Sequence, residues 1–250
     1  MDITICESAD ELGLRAASEG AAQIRTALAE QNRAVIALAA GSSQIGMLAH
    51  LVQAPDIDWG NIIVFPLDEY VGLSSKHPAS FRRYLLERFV NLLPTPLGAF
   101  HHLKGDAEDP MTEAVRVGRL IMKETLDVAF LGIGENGHLA FNDPPADLDT
   151  EEPFLVVDLE ERCRQQQIHE GWFTQLDDVP TEAISISVHR ILTSAQIICT
   201  VPEKRKADAV KAAVEGDVSA QVPASILQRH EHCHLYLDRD AASMLKDPDD

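Results

Sequence analysis

A doubly wound α/β fold, with a mainly parallel sheet and helices on both faces, is what this chain predicts. Three observations carry the prediction. Apolar runs without period-2 alternation recur, as in Ala34-Val35-Ile36-Ala37-Leu38-Ala39 and Val128-Ala129-Phe130-Leu131. Such runs suit parallel strands buried on both faces. Segments with helical spacing of apolar residues separate them, which is the pattern of strand-helix-strand units. Finally, several runs end in small-residue or acidic turns, at the sheet edge where open α/β folds bind ligands.

Taken in order, Ile3-Thr4-Ile5-Cys6 is a short strand, and Ser8-Ala9-Asp10-Glu11 fits a capping box opening a helix that continues over 12–31. The strand at 34–39 ends in Ala40-Gly41-Ser42-Ser43-Gln44, and a helix is expected over 45–53. A small-residue turn at a helix start presents unpaired N–H groups and, here, two hydroxyls; it is either an anion site or a plain cap. Asn61-Ile62-Ile63-Val64-Phe65-Pro66-Leu67 is the next strand. Asp68-Glu69-Tyr70-Val71-Gly72-Leu73 follows directly, which places one of the two acids at the carboxyl edge of the sheet. His77-Pro78-Ala79-Ser80-Phe81 starts an amphipathic helix over 79–93. Pro94-Thr95-Pro96 breaks the chain, and a helix at 107–124 leads to a strand at 127–132.

The stretch after that strand, Gly132-Ile133-Gly134-Glu135-Asn136-Gly137-His138-Leu139-Ala140-Phe141-Asn142-Asp143-Pro144-Pro145, is the densest in chemistry. Three glycines within six residues allow a sharp turn or a close approach of backbone to ligand. One histidine lies among them, flanked by carboxylates and amides. Residues 146–181 then lose the alternation and read as a lid. Strands at 183–188 and 197–201 resume it. A helix over 203–215 begins Lys204-Arg205-Lys206, and cations at a helix start, against the dipole, suit a nearby anion. His234-Leu235-Tyr236-Leu237-Asp238 is a last strand, and the tail from Lys246 to Asp250 is expected to fray.

A length of 250 residues, 45% of them apolar, allows one large domain or two small ones with ample core, and the strand-helix alternation makes one domain over 1–250 the expectation. A net charge of −19 disfavours nucleic acid and leaves any phosphate site to local groups. No apolar run approaches a membrane span, and the first residues lack a signal-peptide pattern, so a cytoplasmic protein is expected. The four cysteines form no C-x-x-C pair and read as free thiols. His230-Glu231-His232-Cys233-His234 has alternating ligand types, but without a second cluster no metal site is expected.

Together, the Gly-Ser turn, D-E-Y-V-G-L with H-P-x-S-F, and G-x-G-x-x-G-H-x-A-F-N-D-P resemble the glucosamine-6-phosphate deaminase family, relatives of 6-phosphogluconolactonases. The lysine-bearing helix ending Ala212-Ala213-Val214-Glu215-Gly216 is a fainter match. The resemblance implies a Rossmann-like, isomerase/CoA-transferase-like fold and the conversion of an amino sugar phosphate and water to fructose 6-phosphate and ammonia, with no cofactor. It implies a small-molecule partner, no nucleic acid and no membrane, and leaves a homo-oligomer open.

Carried over by motif position, the catalytic set is Asp68 as the base at C2, His138 as the ring-opening acid/base, and Asp143 and Asn136 behind the histidine. The family has Glu at the position of Asp143 and Asp at that of Asn136. An amide can accept a hydrogen bond from the imidazole but brings no charge. Gly41, Ser42, Ser43, Lys206 and Gly137 would bind the substrate and its phosphate, and for the family's lid arginine Arg164 is a candidate. A lactonase or a non-catalytic sugar-phosphate sensor are the competing readings. The lactonases as a group carry Arg after the first Asp-Glu and Thr-Ala-Ser after the Gly-His, and this chain has neither.

Overall fold

The structure, a computed structural model, describes residues 1–246. In chain order the elements are β1 (Asp2–Cys6), α1 (Ala9–Gln31), β2 (Ala34–Leu38), α2 (Ile45–Leu51), β3 (Ile62–Pro66), β4 (Asp68–Tyr70), α3 (Phe81–Arg88), β5 (Ala99–Phe100) and α4 (Pro110–Ile121). There follow β6 (Val128–Leu131), β7 (Phe154–Asp158), α5 (Glu161–His169), β8 (Glu182–Ile186), α6 (Val188–Leu192), β9 (Gln196–Val201), α7 (Ala207–Glu215) and β10 (Cys233–Asp238). Among the described residues no helix is long and apolar enough to cross a membrane.

The main sheet has seven strands in the order β1-β10-β9-β6-β2-β3-β5, and its pairings are parallel. Its apolar runs divide between two cores, as the period-2 geometry of a strand requires. Val35, Ala37, Ala129 and Leu131 face one core, while Ile36, Leu38, Val128 and Phe130 face the other. The chain moves outward from β2 to β3 and β5, then returns to β6 and continues the other way. The boundary between β2 and β6 is therefore the switch point at which such sheets take ligands.

Local signals set the helix ends. Ser8 accepts from the Glu11 N–H, and Glu11 reaches back to the Glu7 N–H, one residue before the position of the usual box. Asn32, at φ 57°, closes α1 in the left-handed region. Asp109 caps α4, with Pro110 at its first turn.

Three expectations are corrected. The helix expected over 79–93 breaks after Arg88, because Phe89 leaves helical geometry and a 3-10 turn follows. The strand at 182–186 does not extend the parallel sheet. It is the centre of a second, antiparallel sheet of order β4-β8-β7. That sheet claims Phe154–Asp158, so 146–181 is not one excursion; the strand divides 146–153 from 159–181. The expected fraying concerns residues that, from Asp247, lie outside those described.

Candidate active site

Four strand ends bring the chemistry to one edge. β2 delivers Gly41, Ser42 and Ser43; β3 delivers Asp68; β6 delivers Gly134 and His138; β9 delivers Lys206. All of them line a single cleft. Gln44 ties the first turn to two of the strands: its Nε2 donates to the Leu131 carbonyl and the Thr200 hydroxyl, each at 2.8 Å.

His138 lies flat over Gly134. A Cβ at that glycine would come within 2.3 Å of the imidazole, so no other residue fits beneath the ring. His138 Nδ1 is 2.9 Å from Asp143 Oδ1. An ionised carboxylate only accepts, so Nδ1 carries the proton and Nε2 is left for chemistry. Asp143 is fixed in turn: Asn136 Nδ2 donates to its Oδ1 at 2.9 Å, and the Glu160 N–H to its Oδ2 at 2.9 Å. Burial pushes the Asp143 carboxyl up, but the bond and charge of His138, with those two donors, outweigh it and hold the group below the usual range.

Asn136 therefore does a different job from the one its sequence position implies. It takes no hydrogen bond from the imidazole. Its Oδ1 accepts from the His138 backbone N–H at 3.1 Å, and its Nδ2 also donates to Glu160 Oε2 at 2.8 Å. Asp143 and Asn136 touch His138 and are not among the residues that line the cleft. Gly137, at φ +86°, is not among the lining residues either; its N–H donates to the Gly134 carbonyl and its own carbonyl accepts from Ala224.

Asp68 is 6% exposed, and burial first, then the neighbouring Glu69, push its carboxyl well above the usual range. A carboxyl so poised is suited to take and return a proton. Glu69 points elsewhere. It accepts from the backbone N–H groups of Tyr70, Phe81 and Arg82 and from the Ser80 hydroxyl, and so pins the start of α3 against β4.

Lys206 is 3% exposed, and burial lowers its pKa to about 8. Two residues missed by sequence reasoning join it. Arg205 donates from Nη2 to the Ser42 hydroxyl at 3.2 Å. Glu170 lies 3.3 Å from Arg205 Nη1 and 3.9 Å from Lys206 Nζ. Arg205 was visible in the basic triplet; nothing local marked Glu170. Arg164 is turned away, donating to the carbonyls of Leu176 and Val179.

Among the described residues one group, His138, Asp143 and Cys163, could hold a metal, its ligand atoms lying within 4.8 Å of one another. The hydrogen bonds of Asp143 to His138 and Asn136 account for that cluster without one. His230 and His234 diverge, to the Ser194 carbonyl and the Thr4 hydroxyl.

This geometry can be set beside known proteins. The sequence profile of the glucosamine-6-phosphate isomerases/6-phosphogluconolactonase family matches residues 7–236. The chain is 32% identical over 253 aligned residues to a glucosamine-6-phosphate deaminase of Thermoanaerobacter sp. (strain X514), covering 100% of this chain and 97% of that one. It is 37% identical to a deaminase of the same name from Exiguobacterium sp. (strain ATCC BAA-1283 / AT1b), over 84% of this chain and 80% of the relative. A solved monomeric glucosamine-6-phosphate deaminase of the NagB superfamily superposes with a TM-score of 0.89 at 33% identity, over 98% of this chain and 100% of that one. A 6-phosphogluconolactonase of Shewanella baltica OS155 shares the fold, at 20% identity and a TM-score of 0.77 over 95% and 97% of the two chains. Profile, sequence relatives and fold thus agree, and the chain belongs to the glucosamine-6-phosphate isomerase/6-phosphogluconolactonase family.

Proposed function

We propose that this chain is an enzyme that converts glucosamine 6-phosphate and water to fructose 6-phosphate and ammonia. The observation that carries the reading is the meeting of a buried, high-pKa Asp68, a carboxylate-backed His138 and the Gly-Ser turn with Lys206 in one cleft.

The roles follow from position. The phosphate lies on the Gly41-Ser42-Ser43 turn, with Lys206 and Arg205 beside it. His138 Nε2 moves a proton from the O1 hydroxyl to the ring oxygen, which opens the pyranose. Asp68 then takes the C2 proton while O1 takes one from the substrate's ammonium group, giving an enolamine, and Asp68 returns its proton to C1. The C2 imine so formed adds water and releases ammonia. Holding the sugar by its phosphate turns these into intramolecular steps. The segment 159–181, which supplies Gln166, Gln167 and Glu170 to the cleft, acts as the lid of an otherwise single domain. A reducing cytoplasm is the proposed compartment, in keeping with four free, buried cysteines.

The test is direct. Ammonia release and fructose 6-phosphate are measured together on incubation with glucosamine 6-phosphate. Stoichiometric appearance of both is expected; their absence overturns the reading.

A further inference from the structure

Glu170 is a buried charge that the proposed chemistry does not use. It stands at the end of α5, its side chain 5% exposed, against Arg205 and Lys206. Gln166 Nε2 donates to its Oε1 at 2.7 Å and Trp172 Nε1 to its Oε2 at 3.1 Å, so the carboxylate is built into this place. Burial pushes its pKa up, but Lys206, Gln166 and Arg205 outweigh that and keep it ionised.

The cations beside the Gly-Ser turn are therefore already paired. Lys206 and Arg205 face the carboxylates of Glu170, Glu135 and Glu203. A phosphate dianion entering beside Glu170 would meet a like charge in a poorly solvated pocket, which is strongly unfavourable. Space gives the same answer. The cavity volume is about 60 Å³, against several hundred Å³ for typical small-molecule sites. The next residue, Gly171, sits at φ +79°, and an added Cβ there would meet nothing within 4 Å. The space beside the turn that follows Glu170 is therefore open, and departure of the carboxylate would break the Gly171 and Trp172 backbone bonds to Ile168 and Gln167.

We propose that Glu170 is a tethered anion that occupies the phosphate clamp and leaves it, with the turn at Gly171 and Trp172, when phosphate enters. This rests on reading the Gly-Ser turn and Lys206 as that clamp. The opposite role for the same carboxylate is to hold Lys206 and Arg205 ready for phosphate. The two roles differ in sign: removing the charge tightens phosphate binding in the first and weakens it in the second.

Inorganic phosphate is the probe, titrated calorimetrically into the full chain, so the result does not depend on turnover. Glu170→Gln, nearly isosteric, is expected to bind it roughly tenfold more tightly, the equivalent of one pairing interaction. Glu170→Asp, charged but one methylene shorter, is expected to fall between. In the native chain phosphate is expected to change the emission of Trp172, whose indole N–H loses its partner; Trp172→Phe removes that change and leaves Trp59 as the remaining tryptophan. Equal or weaker binding by Glu170→Gln, an unchanged Trp172 emission at saturation, or no binding by any form overturns the proposal. Tighter binding by Glu170→Gln together with a failed ammonia assay would overturn the reaction and leave this proposal standing.

Discussion

Under the proposed reaction, Asp68 sets catalysis against stability. Its folded-state pKa is raised, by burial and then by Glu69. Below the unfolded value of about 4 both states hold the proton, and no penalty arises. As pH rises the unfolded chain ionises first, so stability falls until the folded group ionises too, and it is level above that point. Asp68→Asn removes the penalty. Its melting temperature is expected to exceed that of the native chain at pH 7, with the gap closing below about pH 4. The same change removes the base, so kcat is expected to fall roughly 100-fold or more while phosphate affinity survives. A lower melting temperature at pH 7 would contradict the assignment. Asn136 yields a second prediction. The family's aspartate placed there would put three carboxylates together, with Asp143 and Glu160, and would delete both amide donors. Asn136→Asp is expected to lower kcat roughly tenfold, the scale of one lost charge-assisted hydrogen bond. The acidic limb of its pH–rate profile should move to higher pH, because Asp143 loses a donor that keeps it ionised. Adding Glu160→Gln, which removes one of the three charges, should recover part of the rate; no recovery would mean that Asn136 acts alone.

At the scale of elements, Lys206 gains its meaning from the turn that carries it. It lies in a 3-10 turn ahead of α7, buried against α5's end, and burial lowers its pKa to about 8. Above that pH the clamp loses a positive charge. The plot of log kcat/KM against pH is expected to bend downward near pH 8, and the bend should vanish in Lys206→Arg, whose charge persists. Lys206→Ala is expected to raise KM far more than it lowers kcat, since phosphate is held alike in ground and transition states. An unchanged KM would remove Lys206 from the clamp. What was legible in the sequence follows the same elements. Gly41–Ser43, Asp68 and His138 could be placed because each follows an apolar run directly, so position along the chain fixed position at the sheet edge. The second sheet was hidden. β4 is three residues long, and β8 reads like any buried strand, so nothing local distinguishes an antiparallel partner from a parallel one. Glu170 was hidden for a related reason: its neighbours in space, Arg205 and Lys206, lie more than thirty residues away.

Over the whole molecule, long-range charge and the local clamp act on a substrate dianion at different distances. The net charge is −19, readable at once from composition. The pairing of Lys206 and Arg205 with three carboxylates, visible only in the fold, leaves the mouth of the clamp with no excess of positive charge. A phosphorylated sugar therefore approaches against a repulsive field, and steering of the kind that speeds the encounter of opposite charges is not available. Salt shortens that field's reach, from about 30 Å at 0.01 M to about 8 Å at 0.15 M ionic strength. The Lys206–Glu170 contact inside the clamp spans less than that and is screened far less, because both side chains are buried. Raising KCl from about 0.01 to about 0.15 M, the range of that change in screening length, is thus expected to increase kcat/KM for glucosamine 6-phosphate while kcat stays level. Most enzymes that bind anions through an exposed basic surface show the reverse. A fall in kcat/KM over this range would mean that the local cations outweigh the charge of the whole chain, and that Glu170 does not neutralise them as the substrate arrives.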